Sequence, residues 1–486
     1  MAERLGRGLQ NLVRRFESAP DLIKADFTDC GVGFFNFCAK ALSFTVHLAY
    51  PHMTYSYATL RKYLSLLSLS LLLASLGFTP STAQATELVD QLREHLSFSE
   101  YTLLPTPDDY EQVLELRILQ DQDHDTRAID SFYQRIWIGH RSLDAPTVYV
   151  TSGYAGSWRP HELADMLEAN LVIVEYRYYG KSVPTDYDWS LLTNDQAADD
   201  LHFIRRALGK IYKGDWVSTG ISKGGTTACI YRARYPKDVC ATVSYVGPMP
   251  YAQEDDRMDQ HLLEVGSDEC RAALQEFQRR ALSLTDQIVP LIDSLATAQD
   301  LSFKHVDHRR AHEYAVLELP FSFWQYAHEC DGIPSADASA QEAFNYLEAI
   351  VSYSFYSDAS YEYYLPAFYQ FVTENGYYGF ITDHLEDLLT DPADSYHNID
   401  FGPDDVSLAY DTNYMPGIIK RLDRKGKRMI YIHGAYDPWA ACAYVPRAQH
   451  RSVYIAKAKA GHTTRIKDLS ASQQEEVLQK LLLWID

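Results

Sequence analysis

The sequence predicts an α/β fold in which helices cover both faces of a mostly parallel sheet. Short apolar or β-branched runs alternate with helical patterns from about residue 110 onward, and this alternation is typical of such a sheet. It stops between about residues 250 and 415 and resumes after them. A glycine-rich turn at residues 220–225 lies between a strand-like run and a helical pattern. We therefore expect one sheet domain interrupted by a helical region.

Eight runs have the pattern of strands, and helical patterns lie between or after them. The first two runs alternate or are apolar throughout, so we expect them to form an antiparallel opening pair. The strand-like runs are residues 113–119, 134–140, 147–151, 170–176, 215–220, 241–246, 428–433 and 452–456. The helical patterns include residues 195–208, 223–235 and 470–485.

Residues 251–415 are predicted to form a helical cap domain inserted between the sixth and seventh of these strands. Pro290 lies within the second helical pattern of this region and is expected to break or kink it. The insertion divides the sheet domain into a first part, residues 100–250, and a second part, residues 416–486. The helical patterns of the cap are residues 259–265, 270–298, 309–317 and 340–355.

The N-terminal part of the chain has the features of an export signal. A basic pair at residues 61–62 precedes an apolar run at residues 64–78, and Ala83-Gln84-Ala85 follows. This combination is typical of a secretory signal peptide, and the run is shorter than the roughly 20 residues that span a membrane. We expect residues 53–85 to be the signal peptide, residues 1–52 to be a mis-assigned extension, and the mature protein to be secreted or periplasmic without stable membrane association. A membrane anchor with a cytoplasmic tail is the alternative.

The composition limits the classes of partner. The chain has 44 Lys and Arg against 66 Asp and Glu, a formal net charge of −22 and a pI of about 5.2. Nucleic-acid binding needs cationic side chains opposite the phosphates, so we exclude nucleic acid as a partner. The 36 tyrosines suit the lining of a peptide or sugar cleft, and they suit ordinary packing equally well.

The cysteines predict one disulfide. Both Cys270 and Cys330 lie in the predicted cap, and we expect them to pair because an exported protein favours disulfides. At least one thiol then stays free, and no Cys-x-x-Cys pattern indicates zinc or thioredoxin chemistry. We expect no cofactor and no metal. Five cysteines follow the predicted signal peptide: Cys229, Cys240, Cys270, Cys330 and Cys442.

Ser222 is the predicted nucleophile. It lies in Gly220-Ile221-Ser222-Lys223-Gly224, the G-x-S-x-G pattern of the strand-to-helix turn that raises a serine above an α/β-hydrolase sheet. This pattern occurs by chance in many chains, but here a strand-like run precedes it and a helical pattern follows. The serine then lies at a helix N-terminus, where free N–H groups favour negative charge. The sequence therefore predicts an α/β-hydrolase fold, with the backbone N–H of Lys223 as one oxyanion donor.

The base and the orienting acid are predicted to be His462 and Asp437. Each follows a strand-like run, so both lie where the carboxyl ends of parallel strands carry their chemistry. The chain order Ser, Asp, His is that of the α/β hydrolases. His462 would take the proton of Ser222, and Asp437 would fix the imidazole tautomer. The second oxyanion donor is expected to be the N–H of Tyr154, in a glycine-rich loop that is otherwise an ordinary turn.

A histidine cluster offers a rival site. The spacing of His305, His308 and His312 predicts three imidazoles on one helical face, with Glu313 beside them. However, the segment lacks the glutamate of the H-E-x-x-H zinc motif. We therefore interpret it as a polar face of a cap helix rather than a metal site.

Several motifs together resemble a known family. They are Gln122-Asp123-His124, Gln134-Arg135, residues 175–182, residues 196–201, residues 220–225, Phe323-Trp324-Gln325-Tyr326, Asp437-Pro438-Trp439 and Gly461-His462. The chain, over about residues 100–486, resembles the secreted bacterial tripeptidyl aminopeptidases, often prolyl-directed, and more distantly prolyl carboxypeptidase and dipeptidyl peptidase II. Two positions depart from the distant relatives: Tyr176 stands where they have histidine, and Lys223 stands where they have tyrosine after the serine.

The resemblance implies a serine exopeptidase with a helical cap over the site. An acidic side chain must then hold the substrate α-ammonium through a charge-assisted hydrogen bond. By resemblance Glu329 is the first choice and Asp331 the second, with Trp324 and Gln325 as further substrate contacts; solvated acids of the cap are the alternative. Two further residues, Glu175 and Arg177, are expected to pair and brace the end of the sheet rather than take part in catalysis.

The predicted function is the release of tripeptides from the free N-terminus of peptide substrates, through an acyl-enzyme on Ser222, with cleavage after proline as one form of this activity. The alternatives are an esterase or lipase on the same fold, a relative that acts as a carboxypeptidase or dipeptidyl peptidase, and a non-catalytic binding protein. A lipase cap is expected to be apolar, whereas this one is acidic and rich in tyrosine. A binding protein has no need of all three triad residues.

Overall fold

A computed structural model describes residues 82–126 and 130–485. Residues 1–52 and the apolar run at residues 64–78, on which the predicted extension and signal peptide depend, lie outside the described residues. The first described helix begins at Thr82, so the predicted cleavage position after Ala85 lies in its first turn. Among the described helices, none is both long and apolar enough to cross a membrane.

One mixed sheet forms the centre of the described structure. Its strands are β1 (Phe98–Leu103), β2 (Gln112–Asp121), β3 (Ser131–His140), β4 (Thr147–Thr151), β5 (Asn170–Val174), β6 (Trp216–Ile221), β7 (Ala241–Tyr245), β8 (Met429–Gly434) and β9 (Val453–Lys457). They lie in the order β1-β2-β3-β5-β4-β6-β7-β8-β9. Pairing is antiparallel from β1 to β3 and between β3 and β5, and parallel among β4 to β9. The carboxyl ends of β6, β8 and β9 therefore meet at one edge.

The strands observed in the structure correspond to the strand-like runs predicted from the sequence, with one exception. All eight predicted runs are strands, and the first two form the expected antiparallel pair. Strands β4 and β5 are buried at every residue, as expected of parallel strands covered on both faces. Strand β1 was not predicted, because most of its side chains are exposed and it lacks a regular apolar alternation.

Helices cover both faces of the sheet. They are α1 (Thr82–Arg93), α2 (Glu162–Met166), α3 (Asn194–Leu208), α4 (Lys223–Arg234), α5 (Asp256–Glu264), α6 (Asp268–Ser283), α7 (Thr285–Gln299), α8 (His308–Gln325), α9 (Ala340–Ile350), α10 (Asp358–Gln370), α11 (Tyr414–Lys425) and α12 (Ala471–Trp484). Leu201 of α3 and Ile230 of α4 pack with Tyr149 on one face. Leu163 of α2 and Leu481 of α12 pack with Val148 on the other. This layered arrangement confirms the predicted α/β-hydrolase fold.

Helices α5 to α10 lie between β7 and β8 and supply most of a second hydrophobic core, in which Phe277, Tyr314 and Leu347 are buried. Residues 251–413 are called the helical insertion below. The cap predicted from the sequence covers nearly the same residues and follows the sixth predicted strand. Because β1 precedes the predicted strands, the insertion follows the seventh strand of the structure. The next helix, α11, packs in the sheet's own core through Ile418 and Leu422.

Of the two effects expected of Pro290, a break or a kink, the break in the helical pattern at residues 270–298 is wrong. Helix α6 ends at Ser283 and α7 begins at Thr285, so the break lies at Leu284, six positions earlier. The hydroxyl of Thr285 donates to the carbonyl of Leu282 at 2.6 Å, which satisfies one carbonyl that the end of α6 leaves open. Pro290 lies inside α7, which continues to Gln299.

The predicted disulfide is present. Cys270 on α6 and Cys330 after α8 are bonded, with their Cα atoms 5.5 Å apart, a normal separation for a disulfide. The bond ties the segment that follows α8 to the start of α6. Among the described cysteines, Cys229, Cys240 and Cys442 are free thiols.

Candidate active site

Ser222 occupies a sharp turn between β6 and α4. Its backbone has φ 57° and ψ −127°, a conformation that costs free energy for any residue with a side chain. Glycines make the turn possible: a Cβ at Gly220 would lie 2.0 Å from the carbonyl oxygen of Gly224, and a Cβ at Gly224 would lie 2.6 Å from that of Thr151. The sequence thus forces the serine out of the strand and onto the N-terminus of α4.

Asp437 and His462 are joined by a short hydrogen bond. The Nδ1 of His462 lies 2.7 Å from Oδ2 of Asp437, and Asp437 is completely buried. The N–H of Trp439 donates to the other carboxylate oxygen at 3.2 Å. A carboxylate that accepts from Nδ1 leaves Nε2 as the nitrogen that can take a proton. The two residues expected to be the base and its orienting acid are therefore in contact.

Ser222 and His462 lie at the same edge of the sheet, because Ser222 follows β6 and His462 follows β9. In the described structure the Ser222 hydroxyl makes no hydrogen bond to His462. Such bonds are often long without substrate and tighten in the substrate complex. The structure thus brings Asp437 and His462 into contact and places Ser222 on the same edge.

The loop that carries His462 is held by the helical insertion. The backbone N–H of His462 donates to the carbonyl of Gln325 at 2.6 Å. A Cβ at Gly461 would lie 2.3 Å from that same carbonyl oxygen, so only glycine permits this approach. The last residue of α8 thereby holds the backbone of His462.

His433 lies near His462 and was not among the residues predicted from the sequence. It is fully buried near the end of β8 and stacks on the ring of Tyr454. Burial and, to a smaller extent, the nearby His462 together lower the pKa of His433 to about 3. His433 is therefore neutral at ordinary pH. The sequence did contain a signal for His433: it is a histidine near the end of an apolar strand, shortly before the candidate acid Asp437.

The two predicted oxyanion donors lie on loops that pack closely together. A Cβ at Gly153 would lie 2.6 Å from the backbone nitrogen of Gly224 and 2.7 Å from the Cβ of Lys223. Neither the N–H of Lys223 nor that of Tyr154 donates a hydrogen bond to another described residue. Both amides therefore remain available to a ligand, with Lys223 at the N-terminus of α4.

Tyrosines surround the loop that carries Tyr154. The ring of Tyr154 packs edge-on against Tyr179 and Tyr364, with ring centres 5.6 and 6.0 Å apart, and Tyr363 packs against Tyr179 and Tyr364. Burial raises the pKa of Tyr154 and Tyr179 well above the usual value. The hydroxyls stay neutral, and helix α10 of the insertion meets the candidate oxyanion loop through these aromatic rings.

The four residues predicted to bind substrate have different environments. Glu329 and Asp331 are exposed in the segment after α8, and neither side chain bonds to another described residue. Gln325 contributes its carbonyl to the histidine loop. Trp324 does not fit the prediction: it is 1% exposed and packs against Phe323 and Tyr436, so its indole supports the core instead of facing a substrate.

Two acids near the site, the buried Glu318 and the half-buried Glu374, were not predicted from the sequence. Glu318 on α8 accepts hydrogen bonds from Tyr378 at 2.6 Å and Ser322 at 2.7 Å, and burial raises its pKa to about 7. Glu374 accepts from the backbone N–H of Asn194 at 2.8 Å, and burial raises its pKa to about 8. Glu318 could have been identified from the sequence, because it is an acid within an apolar helical run.

Glu175 and Arg177 have the expected bracing role, but they do not pair with each other. Both are fully buried. Glu175 pairs with Arg135 at 2.6 Å, and Arg177 pairs with Asp200 at 2.7 Å. These two residues of opposite charge, separated by Tyr176, therefore tie the segment after β5 to two different elements, β3 and α3.

The histidine cluster does not form a single face. His312 is buried in α8 between the hydroxyl of Tyr353 and the carbonyl of Ala281, and burial lowers its pKa to about 4. His305 precedes the helix and stacks on Tyr361. The prediction of one shared face is wrong because α8 begins only at His308. Within the described residues, no group of three or more metal-binding side chains is found.

One family model and several known proteins are similar to this chain. The model of the PS-10 peptidase S37 family matches residues 87–486. The chain is 31% identical over 434 residues to the prolyl tri/tetrapeptidyl aminopeptidase of Streptomyces mobaraensis, which covers 86% of this chain and 91% of that protein. A stretch of 99 residues is 32% identical to the lysosomal Pro-X carboxypeptidase of Mus musculus, covering 18% of this chain and 20% of that one.

Among solved structures, the proline iminopeptidase of Mycobacterium smegmatis aligns over 79% of this chain and 98% of its own, with 13% identity and a TM-score of 0.38. The family match and the Streptomyces relative confirm the resemblance that the motifs indicated.

Proposed function

Because this chain belongs to the PS-10 peptidase S37 family and is thus a serine peptidase, we propose that it is an exopeptidase acting at free peptide N-termini. Tripeptides are the proposed products, released through an acyl-enzyme on Ser222. The observation that carries the proposal is the 2.7 Å bond between His462 and the buried Asp437, on the sheet edge that also carries the strained Ser222.

The proposed reaction follows from the roles of the three residues. The Nε2 of His462 takes the hydroxyl proton as the Ser222 oxygen attacks the scissile carbonyl carbon. The N–H groups of Lys223 and Tyr154 donate to the oxygen that becomes negative. His462 then returns the proton to the leaving amine, which departs with the C-terminal part of the substrate. Water, activated by the same imidazole, hydrolyses the ester and frees the N-terminal peptide.

The aminopeptidase direction requires a group that holds the substrate α-ammonium, and Glu329 is the proposed one. Its carboxylate is exposed and has no partner among the described residues, so it is available to a cation. It lies four positions after Gln325, whose carbonyl holds the His462 loop. The disulfide at Cys330 fixes the adjacent residue. A carboxylate with a fixed backbone, close in sequence to a site contact, can set the distance from substrate N-terminus to scissile bond.

The Glu329 assignment is tested by comparing two substrates. Glu329→Gln is expected to raise KM for a tripeptide p-nitroanilide with a free N-terminus far more than for the same compound with an acetylated N-terminus. Asp337→Asn, which alters another exposed acid of the helical insertion, is the matched control and should change neither value. Asp331→Asn tests the second choice. An equal effect of Glu329→Gln on both substrates would reject its role in ammonium binding.

The lengths of the released products test the proposed specificity. The Streptomyces relative is named as a prolyl tri/tetrapeptidyl aminopeptidase, which supports tripeptide release after proline here. A nonapeptide with proline at its third position, sampled over time by mass spectrometry, should yield the N-terminal tripeptide first. Ser222→Ala should abolish this cleavage while the protein remains folded. Dipeptides as first products, cleavage from the C-terminus, or turnover of esters alone would each replace the proposal with one of its alternatives.

Export is proposed on the apolar run at residues 64–78 and the Ala83-Gln84-Ala85 sequence. The disulfide between Cys270 and Cys330 supports it, because such bonds persist in oxidising compartments. N-terminal sequencing of protein recovered after expression with a functional export system should show a chain that begins at Thr86. A mature chain that retains residues 64–78 would contradict export by signal cleavage.

A further inference from the structure

We propose that the side chain of Lys223 is a positioning residue for the oxyanion hole, because it holds the carbonyl of Gly153 and thereby orients the N–H of Tyr154. This inference rests on the proposed function, since it concerns the same site. It assigns a task to the Lys223 side chain, whereas the proposed mechanism uses only that residue's backbone N–H.

The contact that carries the inference joins the two loops of the site. The Nζ of Lys223 donates to the carbonyl oxygen of Gly153 at 3.0 Å, and Lys223 is 3% exposed. At the other end of the residue, the hydroxyl of Thr227 donates to the Lys223 carbonyl at 2.9 Å. The lysine is therefore fixed at its backbone and at its tip, and it connects the turn of Ser222 with the loop after β4.

The geometry of a peptide unit converts this contact into an orientation. The carbonyl of Gly153 and the N–H of Tyr154 belong to one planar trans peptide, in which the two groups point in opposite directions. A donor that holds the Gly153 carbonyl on one side therefore directs the Tyr154 N–H to the opposite side. That N–H donates to no described residue, so a ligand oxygen can accept from it.

The next peptide unit is fixed as well. The backbone N–H of Tyr176 donates to the carbonyl of Tyr154 at 3.2 Å. The ring of Tyr176 also lies against the lysine, with Nζ 3.6 Å from the ring centre. Both peptide units that flank Tyr154 are thus held, one by Lys223 and one by Tyr176.

A lysine is an unusual choice for this position, because burying its amine is unfavourable unless it has polar partners. Burial lowers the pKa of Lys223 well below its usual value, and the charge of Glu374 partly opposes this shift. The amine donates a hydrogen bond in either protonation state, so the contact with Gly153 does not require a charge. The hydrogen bond of this buried amine is to the candidate oxyanion loop. We therefore infer that the role of the lysine is to hold that loop.

The test removes the side-chain donor and keeps the backbone donor. Lys223→Met preserves the length of the stem and the N–H of residue 223, but it cannot bond to Gly153. We expect kcat for a peptide substrate to fall on the order of 10- to 100-fold, with KM changed by less than about 2-fold. A peptide aldehyde, which forms an oxyanion on Ser222, should lose affinity by the same factor as kcat.

Thr226→Val is the matched control. Thr226 lies in the same turn of α4, and its hydroxyl donates to the carbonyl of Pro248 at 2.6 Å, away from the loop of Tyr154. It should leave both kcat and aldehyde affinity near the wild-type values. If Lys223→Met does not fold, Lys223→Gln retains an N–H donor on a shorter stem and should show a smaller loss of both quantities.

The outcomes separate the two proposals. If the wild-type protein neither cleaves peptides nor binds the aldehyde, the proposed function fails. If the wild type is active and folded Lys223→Met keeps wild-type kcat and aldehyde affinity, the function stands and the positioning role is rejected. A rise in KM without a loss of aldehyde affinity would also reject it, because that result indicates ordinary substrate binding.

Discussion

Glu318 is predicted to make the protein less stable at higher pH, and replacing it with glutamine should remove that effect. Its carboxyl is buried in α8 between Tyr378 and Ser322. Burial raises its pKa from 4.5 to about 7, so the folded protein keeps a proton that the unfolded chain releases. Glu318→Gln mimics the protonated form, because its amide can accept one hydrogen bond and donate another.

The sign and size of the effect follow from linkage between proton binding and folding. Below about pH 4.5 the carboxyl is protonated in both states and contributes no pH dependence. Between about pH 4.5 and 7 the folded state binds more protons than the unfolded state, so the free energy of unfolding falls as pH rises. The difference between 4.5 and about 7, at 1.36 kcal/mol for each pH unit, corresponds to about 3 kcal/mol.

Urea denaturation of both proteins at about pH 5 and about pH 8 measures this difference. Glu318→Gln should be near wild type at the lower pH and more stable than wild type, by up to about 3 kcal/mol, at the higher pH. Glu276→Gln, an exposed change on α6, is the control and should follow the wild-type profile. If Glu318→Gln is destabilised equally at both pH values, the carboxyl acts only through its hydrogen bonds and the reasoning is refuted.

Three further predictions concern the site and its supports. Replacing both Cys270 and Cys330 by serine removes a bond between residues 60 positions apart. It should lower the free energy of unfolding, measured in urea, by up to about 4 kcal/mol. No change would show that the bond does little to constrain the unfolded chain. Arg177→Met removes the guanidinium that pairs with the buried Asp200 and leaves that carboxylate only its contacts with His124 and Gln134. It should cost up to about 3–5 kcal/mol in the same assay, whereas a neutral result would contradict a bracing role. Asp437→Asn should lower kcat by about 10⁴-fold with KM little changed, because the amide favours the wrong tautomer of His462; a loss below about 10-fold would remove Asp437 from the triad.

The sequence predicted the fold because its signals are local and repeated. Strands buried on both faces, such as β4 and β5, appear in the sequence as short apolar or β-branched runs. The helical insertion appears as a change in the spacing of apolar residues, from that of strands to that of helices. The pairing of Asp437 with His462 could be predicted because strand ends in one sheet share an edge. The disulfide could be predicted because two of the five cysteines lie in the insertion.

The remaining features depend on three-dimensional packing that spacing does not encode. Trp324 was expected at the substrate because it neighbours Gln325 in a motif, yet its side chain points into the core. The bond between Lys223 and Gly153 joins residues 70 positions apart, and no local pattern reveals it. The two departures from the distant relatives, Tyr176 and Lys223, are in contact with each other, which could be recognised only once both positions were placed in space.

Several of the family motifs are explained by polar contacts between distant segments rather than by catalysis. Gln134 donates to the carbonyl of Glu175 at 3.0 Å, and the side chain of Gln196 accepts from the N–H of His124 at 2.9 Å. Both contacts join segments far apart in the chain. A resemblance based on such residues therefore indicates the fold. The chemistry follows from Ser222, Asp437 and His462.

The central claim is that His462 activates Ser222 for attack on an acyl group. Its most direct test is the rate at which a fluorophosphonate modifies the protein, with the modified residue identified by peptide mass spectrometry. We predict a single label on Ser222 in the wild-type protein, and a large fall in the labelling rate in His462→Ala. A label on a different residue, or an unchanged rate in His462→Ala, would contradict the account.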